Sequence, residues 1–245
     1  MPKGNEMAHQ DQLKQWVGEA AAQEISDGMH VGIGTGSTAE AFIHALASRI
    51  QKGLDIKAVA TSQRSHDLCC QLGFDMGTLA DIGPLDVTVD GADEIDPSFH
   101  LIKGGGGAHL REKIVASASH RLVIIADNSK LIPQLGQFPL PVEMIAFEAT
   151  YTARMIQSML CELLDVDVQA KQRFVGDAPF VTDSGNWIWD FHCQRITDPE
   201  TLALALDTVP GVVEHGLFVG MADLLLVAGP EGVERMEKGG DDEAL

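Results

Sequence analysis

The sequence predicts an α/β protein: a parallel sheet flanked by helices, with a second, smaller α+β domain. Three observations carry that expectation. Short apolar runs of strand length alternate with stretches of helical periodicity as far as residue 126, the order of elements that builds a parallel sheet. One of those runs, LVIIA at 122–126, is apolar throughout, as strands covered on both faces are. At FPLPVE, residues 138–143, two prolines break the rhythm, and a helix, strands and a helix follow, the order of a small α+β domain. The expected divisions are a large catalytic α/β domain at 1–139, a small α+β domain at 140–210, and 211–245, which returns to the large domain and ends in an acidic tail.

Residues 1–10 are polar and expected to be loose. Residues 11–26 place Leu13, Trp16, Val17, Ala20 and Ile25 near helical spacing. HVGIGTGST is then a short strand, a glycine turn and the start of a helix at Ser37 or Thr38. IKAVATS reads as a second strand, with Ser62 as cap of a helix that Gly73 stops. LDVTVDGAD is a third strand ending in acid, the glycine run after Lys103 leads into a helix from about Ala108 to Ser119, and RLVIIAD is a strand. Beyond FPLPVE come a helix (TARMIQSMLCELL), the pair RFVGDAPFVTD and NWIWDFH joined as a hairpin at Ser184-Gly185-Asn186, and a helix from Asp198 to about Thr208. DLLLVAG is a strand rejoining the first sheet, followed by a short acidic helix.

Composition narrows the function. The 245 residues, 45% of them hydrophobic, suffice for a substantial core. A formal charge of −19 opposes binding to nucleic acid or an anionic membrane surface. It leaves a small anionic ligand open, because a phosphate needs only local donors. No apolar run approaches the ~20 residues that cross a bilayer. The four cysteines form no CxxC pair, and the opening residues lack a charged-then-apolar leader, so a cytoplasmic location is expected. The tail GGDDEAL reads as a solvated, frayed terminus.

The chemistry concentrates in residues 86–116, DVTVDGADEIDPSFHLIKGGGGAHLREKIVA. Asp90 and Asp93 follow an apolar strand, and ligands of open α/β sheets lie outside the carboxyl ends of strands. A metal site and a solvated acidic loop are the rival readings, although the spacing is not the EF-hand pattern. Glu94 and Asp96 read as bystanders or turn formers, Asp96 preceding a proline. Lys103 can stabilise a developing oxyanion or form a structural ion pair. Gly104, Gly105 and Gly106 let backbone approach a ligand. Glu112 stands one turn into the next helix among Ala108, Val115 and Ala116, where removal from water makes a carboxylate a stronger proton acceptor; it qualifies as a general base.

The turn Gly34-Thr35-Gly36-Ser37-Thr38 lies between strand and helix, where N–H groups and the positive helix end favour an anion. It is neither a P-loop nor a dinucleotide fingerprint, and a plain capped turn is the alternative. Lys130 sits past another strand end. Lys14 reads as a surface lysine. No histidine joins a Ser or Cys in a nucleophile signature.

In order, GTGST, DGADEID, KGGGGAHLREK, ADNSK, FPLPVE, VTDSGN and PGVVEHGLF resemble the type A ribose-5-phosphate isomerase family, from about Asp11 to about Arg235. The resemblance implies a Rossmann-like large domain beside a smaller α+β domain, and interconversion of ribose 5-phosphate and ribulose 5-phosphate in the pentose phosphate pathway, with no metal or organic cofactor. Glu112 would move the proton between C1 and C2, Lys103 would stabilise the enediolate, and Asp90 and Asp93 would serve ring opening. Thr35, Ser37, Thr38 and Lys14 would hold the phosphate, and Lys130 would reach the sugar or phosphate. A homodimer or homotetramer is implied as well. His109 and Leu110 depart from the family's usual Leu and Thr, Ala146 from a frequent proline, and TSQRSH from the usual second-strand loop. Two other functions use the same broad fold: a sugar-phosphate sensor without catalysis, and an enzyme acting on another substrate, an amino-sugar phosphate isomerase or a CoA transferase.

Overall fold

The computed structural model describes residues 3–239, and side chains from residue 9 onward. In chain order it begins with α1 (Lys3–Gln23), β1 (His30–Ile33), α2 (Ser37–Ile50), β2 (Lys57–Ala60), α3 (Gln63–Gln71), β3 (Asp75–Met76), α4 (Leu79–Ile82) and β4 (Val87–Gly91). β5 (Glu94–Ile95), β6 (Leu101–Ile102), α5 (His109–Ser117) and β7 (Leu122–Asp127) follow, then a 3-10 turn at Asn128–Lys130. Next come β8 (Leu140–Met144), α6 (Ala149–Leu164), β9 (Gln169–Gln172), β10 (Phe174–Val175), β11 (Ala178–Pro179), β12 (Trp187–His192) and α7 (Pro199–Asp207). β13 (Val212–His215), β14 (Leu217–Phe218), β15 (Leu224–Gly229) and β16 (Gly232–Glu237) complete the order. None of the described helices is long and apolar enough to cross a membrane.

The described residues form two compact units, one within Met1–Gly91, Arg111–Lys130 and Met221–Leu245, the other within Ala92–Leu110 and Leu131–Gly220. The sequence reading placed its divisions after 139 and 210; the units divide after 91, 110, 130 and 220.

The first unit is built on a seven-stranded sheet in the order β16-β15-β7-β4-β1-β2-β3. All pairings are parallel except that of β16 with β15. The all-apolar texts of β7 and β15 are central strands, buried along their length as two-sided coverage requires. Leu13, Val17 and Ala21 of α1, four residues apart, share one core cluster with Phe42, Ile43 and Leu46 of α2 and with Val31, Ile33, Val89, Val123 and Ile125 of the sheet. A Cβ at Gly18 would lie 2.7 Å from the backbone of Ala41 and Phe42, so α1 and α2 approach at a distance only glycine permits.

The second unit has an antiparallel four-stranded sheet in the order β13-β8-β12-β9. Ala153, Ile156 and Leu160 of α6 and Leu202 and Leu206 of α7 cluster with Val142, Met144 and Phe191 of that sheet. A three-stranded sheet, β14-β6-β5, and the hairpin β10-β11 complete it.

Several local expectations change. The first helix begins at Lys3, so of the segment expected to be loose residues 3–10 are helical, and it ends at Gln23; Ile25 is buried beyond its end. FPLPVE is the buried strand β8, with Pro141 near its start, where a missing N–H is tolerated. Pro141 pairs with Asp190 of β12, while β13 is in register only from Val142 onward. RFVGDAPFVTD is itself a hairpin turning at Gly176 (φ 60°) and Asp177, and the Ser184-Gly185-Asn186 connection closes only an isolated bridge between Val181 and Trp187. β9, from Gln169, is the partner that β12 takes instead. The expected acidic helix after DLLLVAG is the edge strand β16, because the turn at Gly229–Gly232 lays it antiparallel on β15. Residues 240–245 of the acidic tail lie outside the described residues.

Candidate active site

In the first unit the turn after β1 is fixed by its tight fit to β4. A Cβ on Gly34 would lie 2.2 Å from Asp90 Oδ1 and 2.6 Å from Asp90 Cα, so the turn approaches the strand end at a distance no side chain allows. Gly34 N–H donates to Val89 O at 2.9 Å, and the Thr35 N–H donates to Asp90 Oδ1 at 3.0 Å. Asp90 Oδ1 also accepts the Gly91 N–H at 2.7 Å, so this buried carboxylate organises both its own strand end and the neighbouring turn.

Hydroxyls complete the turn. Thr35 Oγ1 is 2.7 Å from Thr61 Oγ1 and 3.4 Å from Ser65 Oγ, and the Ser65 hydroxyl donates to Gly34 O at 2.8 Å. Ser62 caps α3 as expected, its Oγ accepting the Ser65 N–H at 3.1 Å. Helix α2 starts at Ser37, and its N-cap is Gly36 (φ 104°), with no side chain capping it. The N-terminal N–H groups of a helix without a side-chain cap are a ready anion site. Ser37 is exposed and Thr38 half-buried there.

Lys14 lies 3.8 Å from Asp11 on α1 and lines, together with Ser37, Gln15, Glu40 and His44, a groove of about 640 Å³. The structure thus brings Lys14 and Ser37 to one groove, a pairing that the family resemblance implied and that the residues read by themselves did not. Lys130 ends the 3-10 turn after β7, a turn held by Asp127, whose carboxylate accepts from the backbone N–H and the hydroxyl of Ser129. Glu112 is on α5 and is 5% exposed.

In the second unit the acids of DGADEID separate by role. Asp93 Oδ2 accepts the Gly105 N–H at 2.8 Å. Glu94 is buried and accepts the backbone N–H groups of Gly136 and Phe138 at 2.7 and 2.5 Å. Burial pushes its carboxyl above the usual carboxylate range, and those donors only partly oppose the shift. Asp96 accepts from Ser98 and His100 N–H at 2.9 Å each, shaping a turn in which Phe99 has φ 64°. Glu94 and Asp96 are therefore structural, as their sequence context indicated.

Lys103, 2% exposed, has its Nζ 5.3 Å from the centroid of the Phe218 ring. Its N–H donates to Gly216 O at 2.9 Å. Side chains approach three of the four glycines closely. A Cβ on Gly104 (φ 105°) would sit 2.8 Å from His109 Nδ1, one on Gly105 2.7 Å from Asp93 Oδ1, and one on Gly107 2.5 Å from the Phe180 ring. Gly105 and Gly106 are exposed. His109 is fully buried with Nε2 3.9 Å from Glu143 Oε2, and Glu143 Oε1 accepts from Thr182 Oγ1 at 2.8 Å and Asn186 Nδ2 at 2.9 Å.

Sequence reasoning missed Thr61, Ser65 and Arg173. The first two lay within TSQRSH, beside a recognised cap. Arg173 gave no local signal: its guanidinium donates to Asp190 and to the carbonyls of Gly104 and Gly105, partners remote in sequence.

Among the described residues Asp207, Glu214 and His215 come close enough to hold a metal ion. The imidazole argues otherwise. Nδ1 accepts the Leu217 N–H at 3.2 Å, which puts the ring proton on Nε2, aimed at Asp207 Oδ1 3.3 Å away. The His215–Asp207 contact ties β13 to the end of α7.

Residues 57–232 match the profile of the family ribose 5-phosphate isomerase A (phosphoriboisomerase A). The chain is 47% identical over 232 residues to ribose-5-phosphate isomerase A of Bradyrhizobium diazoefficiens, covering 93% of this chain and 96% of that protein. Its structure resembles that of ribose 5-phosphate isomerase A from Methanocaldococcus jannaschii, with a TM-score of 0.86 and 36% identity over 93% of this chain and 99% of that one. The enzyme from Neisseria gonorrhoeae gives a TM-score of 0.85 with 38% identity, covering 94% and 97%.

Proposed function

The chain belongs to the ribose 5-phosphate isomerase A family, and from that membership we propose that it interconverts D-ribose 5-phosphate and D-ribulose 5-phosphate, a step of the pentose phosphate pathway, through an enediolate. The observation that carries the mechanism is the burial of two charged side chains flanking the glycine run in sequence, Lys103 at 2% and Glu112 at 5% exposed. Lys and Glu are almost never buried to this degree unless paired, and an enediolate mechanism calls for one cation and one carboxylate base withdrawn from water.

Glu112 is the base. It removes the proton from C2 of the opened aldose and returns it to C1, while the Lys103 ammonium stabilises the negative charge that develops on the carbonyl oxygen. Asp90 and Asp93 serve ring opening and proton traffic at the hydroxyls. The backbone hydrogen bonds each accepts support this assignment, since they hold the carboxylates in fixed orientation. Gly104, Gly105 and Gly106 give the sugar room. The phosphate belongs to Gly34, Thr35, Gly36, Ser37 and Thr38 with Lys14, and Lys130 reaches the sugar or phosphate. The uncapped start of α2 and the groove shared by Lys14 and Ser37 support that placement. A remote phosphate handle provides binding energy that holds the reacting carbons in place.

No metal or organic cofactor enters this scheme. The protein is cytoplasmic, in keeping with four free thiols, and assembles as a homodimer or homotetramer, for which exposed Phe147 and Tyr151 in the second unit offer apolar surface. Purified protein should convert ribose 5-phosphate to the ketose in the presence of EDTA. Absence of turnover, or turnover abolished by EDTA, contradicts the proposal. Sedimentation as a lone monomer contradicts the assembly.

A further inference from the structure

The glycine run needs an external brace. Four glycines in succession have the largest backbone freedom a chain can have, and Gly104 and Gly107 adopt positive φ. Asp93 holds one N–H of the run. The Gly107 N–H closes a turn on Gly104 O at 2.9 Å, and the Gly104 and Gly105 carbonyls are held in addition by Arg173, which no motif of the proposed reaction includes.

Its guanidinium is used in two directions. Nε and Nη2 donate to the two carboxylate oxygens of Asp190 at 2.9 and 2.5 Å, and Nη1 donates to Gly104 O at 2.9 Å and Gly105 O at 3.2 Å. The group stacks over Phe180, 5.8 Å from the ring centroid, and this same ring lies against Gly107. The backbone of Arg173 is itself tied down, its N–H to Ile188 O and its carbonyl to the Phe180 N–H, both at 2.9 Å. Asp190 is an interior residue of β12, paired with Lys171 on one side and Pro141 on the other. A continuous chain of contacts therefore runs from the four-stranded sheet through Asp190 and Arg173 to the run.

Peptide planarity gives that contact a chemical consequence. In a trans peptide the C=O and the following N–H point in opposite directions. Drawing the Gly104 carbonyl to Arg173 turns the Gly105 N–H the other way, where Asp93 accepts it. Drawing the Gly105 carbonyl to Arg173 turns the Gly106 N–H away from Arg173. A fixed backbone N–H in an exposed residue, three positions after Lys103, is the kind of donor that stabilises oxygen charge in a transition state without reorganising.

We infer that Arg173 is a positioning residue of the isomerase site, orienting the peptides of Gly104 to Gly106 so that the Gly106 N–H donates to a substrate oxygen. The inference rests on the isomerase reading above. Lysine cannot replace it, because a point charge on a flexible stem does not span a carboxylate and two carbonyls at once.

The test uses full-length Arg173→Lys and Arg173→Ala, each checked by thermal melting. Amide exchange at Gly105 and Gly107 should rise by about 10-fold or more in both variants while that of Ile188 to Phe191 changes little, because only the glycine run loses its brace. Turnover of ribose 5-phosphate should fall by about 10- to 100-fold, chiefly in kcat, the scale expected of a misplacement near 1 Å. Added guanidinium should restore part of the activity of Arg173→Ala. Unchanged exchange at Gly105 and Gly107, or kcat within about twofold of wild type in both variants, overturns the inference. A wild type that does not isomerise overturns the reading on which it rests, and the exchange data then judge the grip on the run by themselves.

Discussion

The two glycine-bearing segments, one in each unit, are held in opposite ways. The turn at 34–38 is fixed by closeness: Gly34 stands against Asp90 with no room for a Cβ, and short hydroxyls from Thr61 and Ser65 fill the remaining space. The run at 104–107 is fixed by reach, through Asp93, His109, Arg173 and Phe180. A turn built on close approach is intolerant of added atoms. A run held by long side chains is intolerant of their loss.

The largest effects should come at the charged groups that flank the run in sequence. Glu112→Gln keeps the shape and removes the base, and isomerisation should drop about 10²- to 10⁴-fold with the thermal midpoint preserved. Lys103→Met should lower kcat about 10²- to 10³-fold, since the ammonium acts on charge present only in the transition state. If Lys103→Met instead raises KM and spares kcat, the lysine is a binding group and the contrast between the segments weakens.

The intermediate effect belongs to the turn. Gly34→Ala forces a Cβ to within 2.6 Å of Asp90 Cα, a backbone clash, and should cost about 1–3 kcal/mol by chemical denaturation. At Gly107→Ala the clash is with the Phe180 ring, which can swing aside, so the loss there should be smaller and dominated by the ~1 kcal/mol of positive φ. Equal losses at the two positions would break the distinction.

A smaller effect depends on pH. The folded state holds the Glu94 proton more tightly than the unfolded chain does, because burial raises this carboxyl above its ordinary value near 4.5. Stability contributed by Glu94 is full below that value and declines as pH rises through the raised one. The advantage of wild type over Glu94→Gln in denaturation should therefore shrink as pH climbs from about 4.5; an advantage that grows contradicts the burial account. The smallest effect is at Arg64, whose exposed guanidinium lies 2.7 Å from Glu40. Arg64→Ala should change stability by less than about 1 kcal/mol.

The same contrast explains what the sequence could reveal. β1, the turn and α2 are contiguous, and apolar strand, glycines and helix start are written next to each other. Ser62 was legible as a cap for the same reason, accepting an N–H three residues on. Lys103 and Glu112 stood out because charged types appeared in apolar text. Arg173 did not, because its partners at Gly104 and Gly105 are separated from it by the better part of the small unit. β16 was misread because GVERME is rich in helix formers, and only its pairing with β15 makes it a strand. The prolines of FPLPVE hid β8, whose neighbours β12 and β13 come much later in the chain.

The most direct test of the central claim is solvent exchange during turnover. Ribose 5-phosphate incubated with wild-type protein in D₂O containing EDTA should yield ketose carrying deuterium at C1, and Glu112→Gln, folded by the same melting criterion, should form it about 10²- to 10⁴-fold more slowly. Exchange by Glu112→Gln at the wild-type rate, or exchange by wild type that EDTA abolishes, would contradict the account.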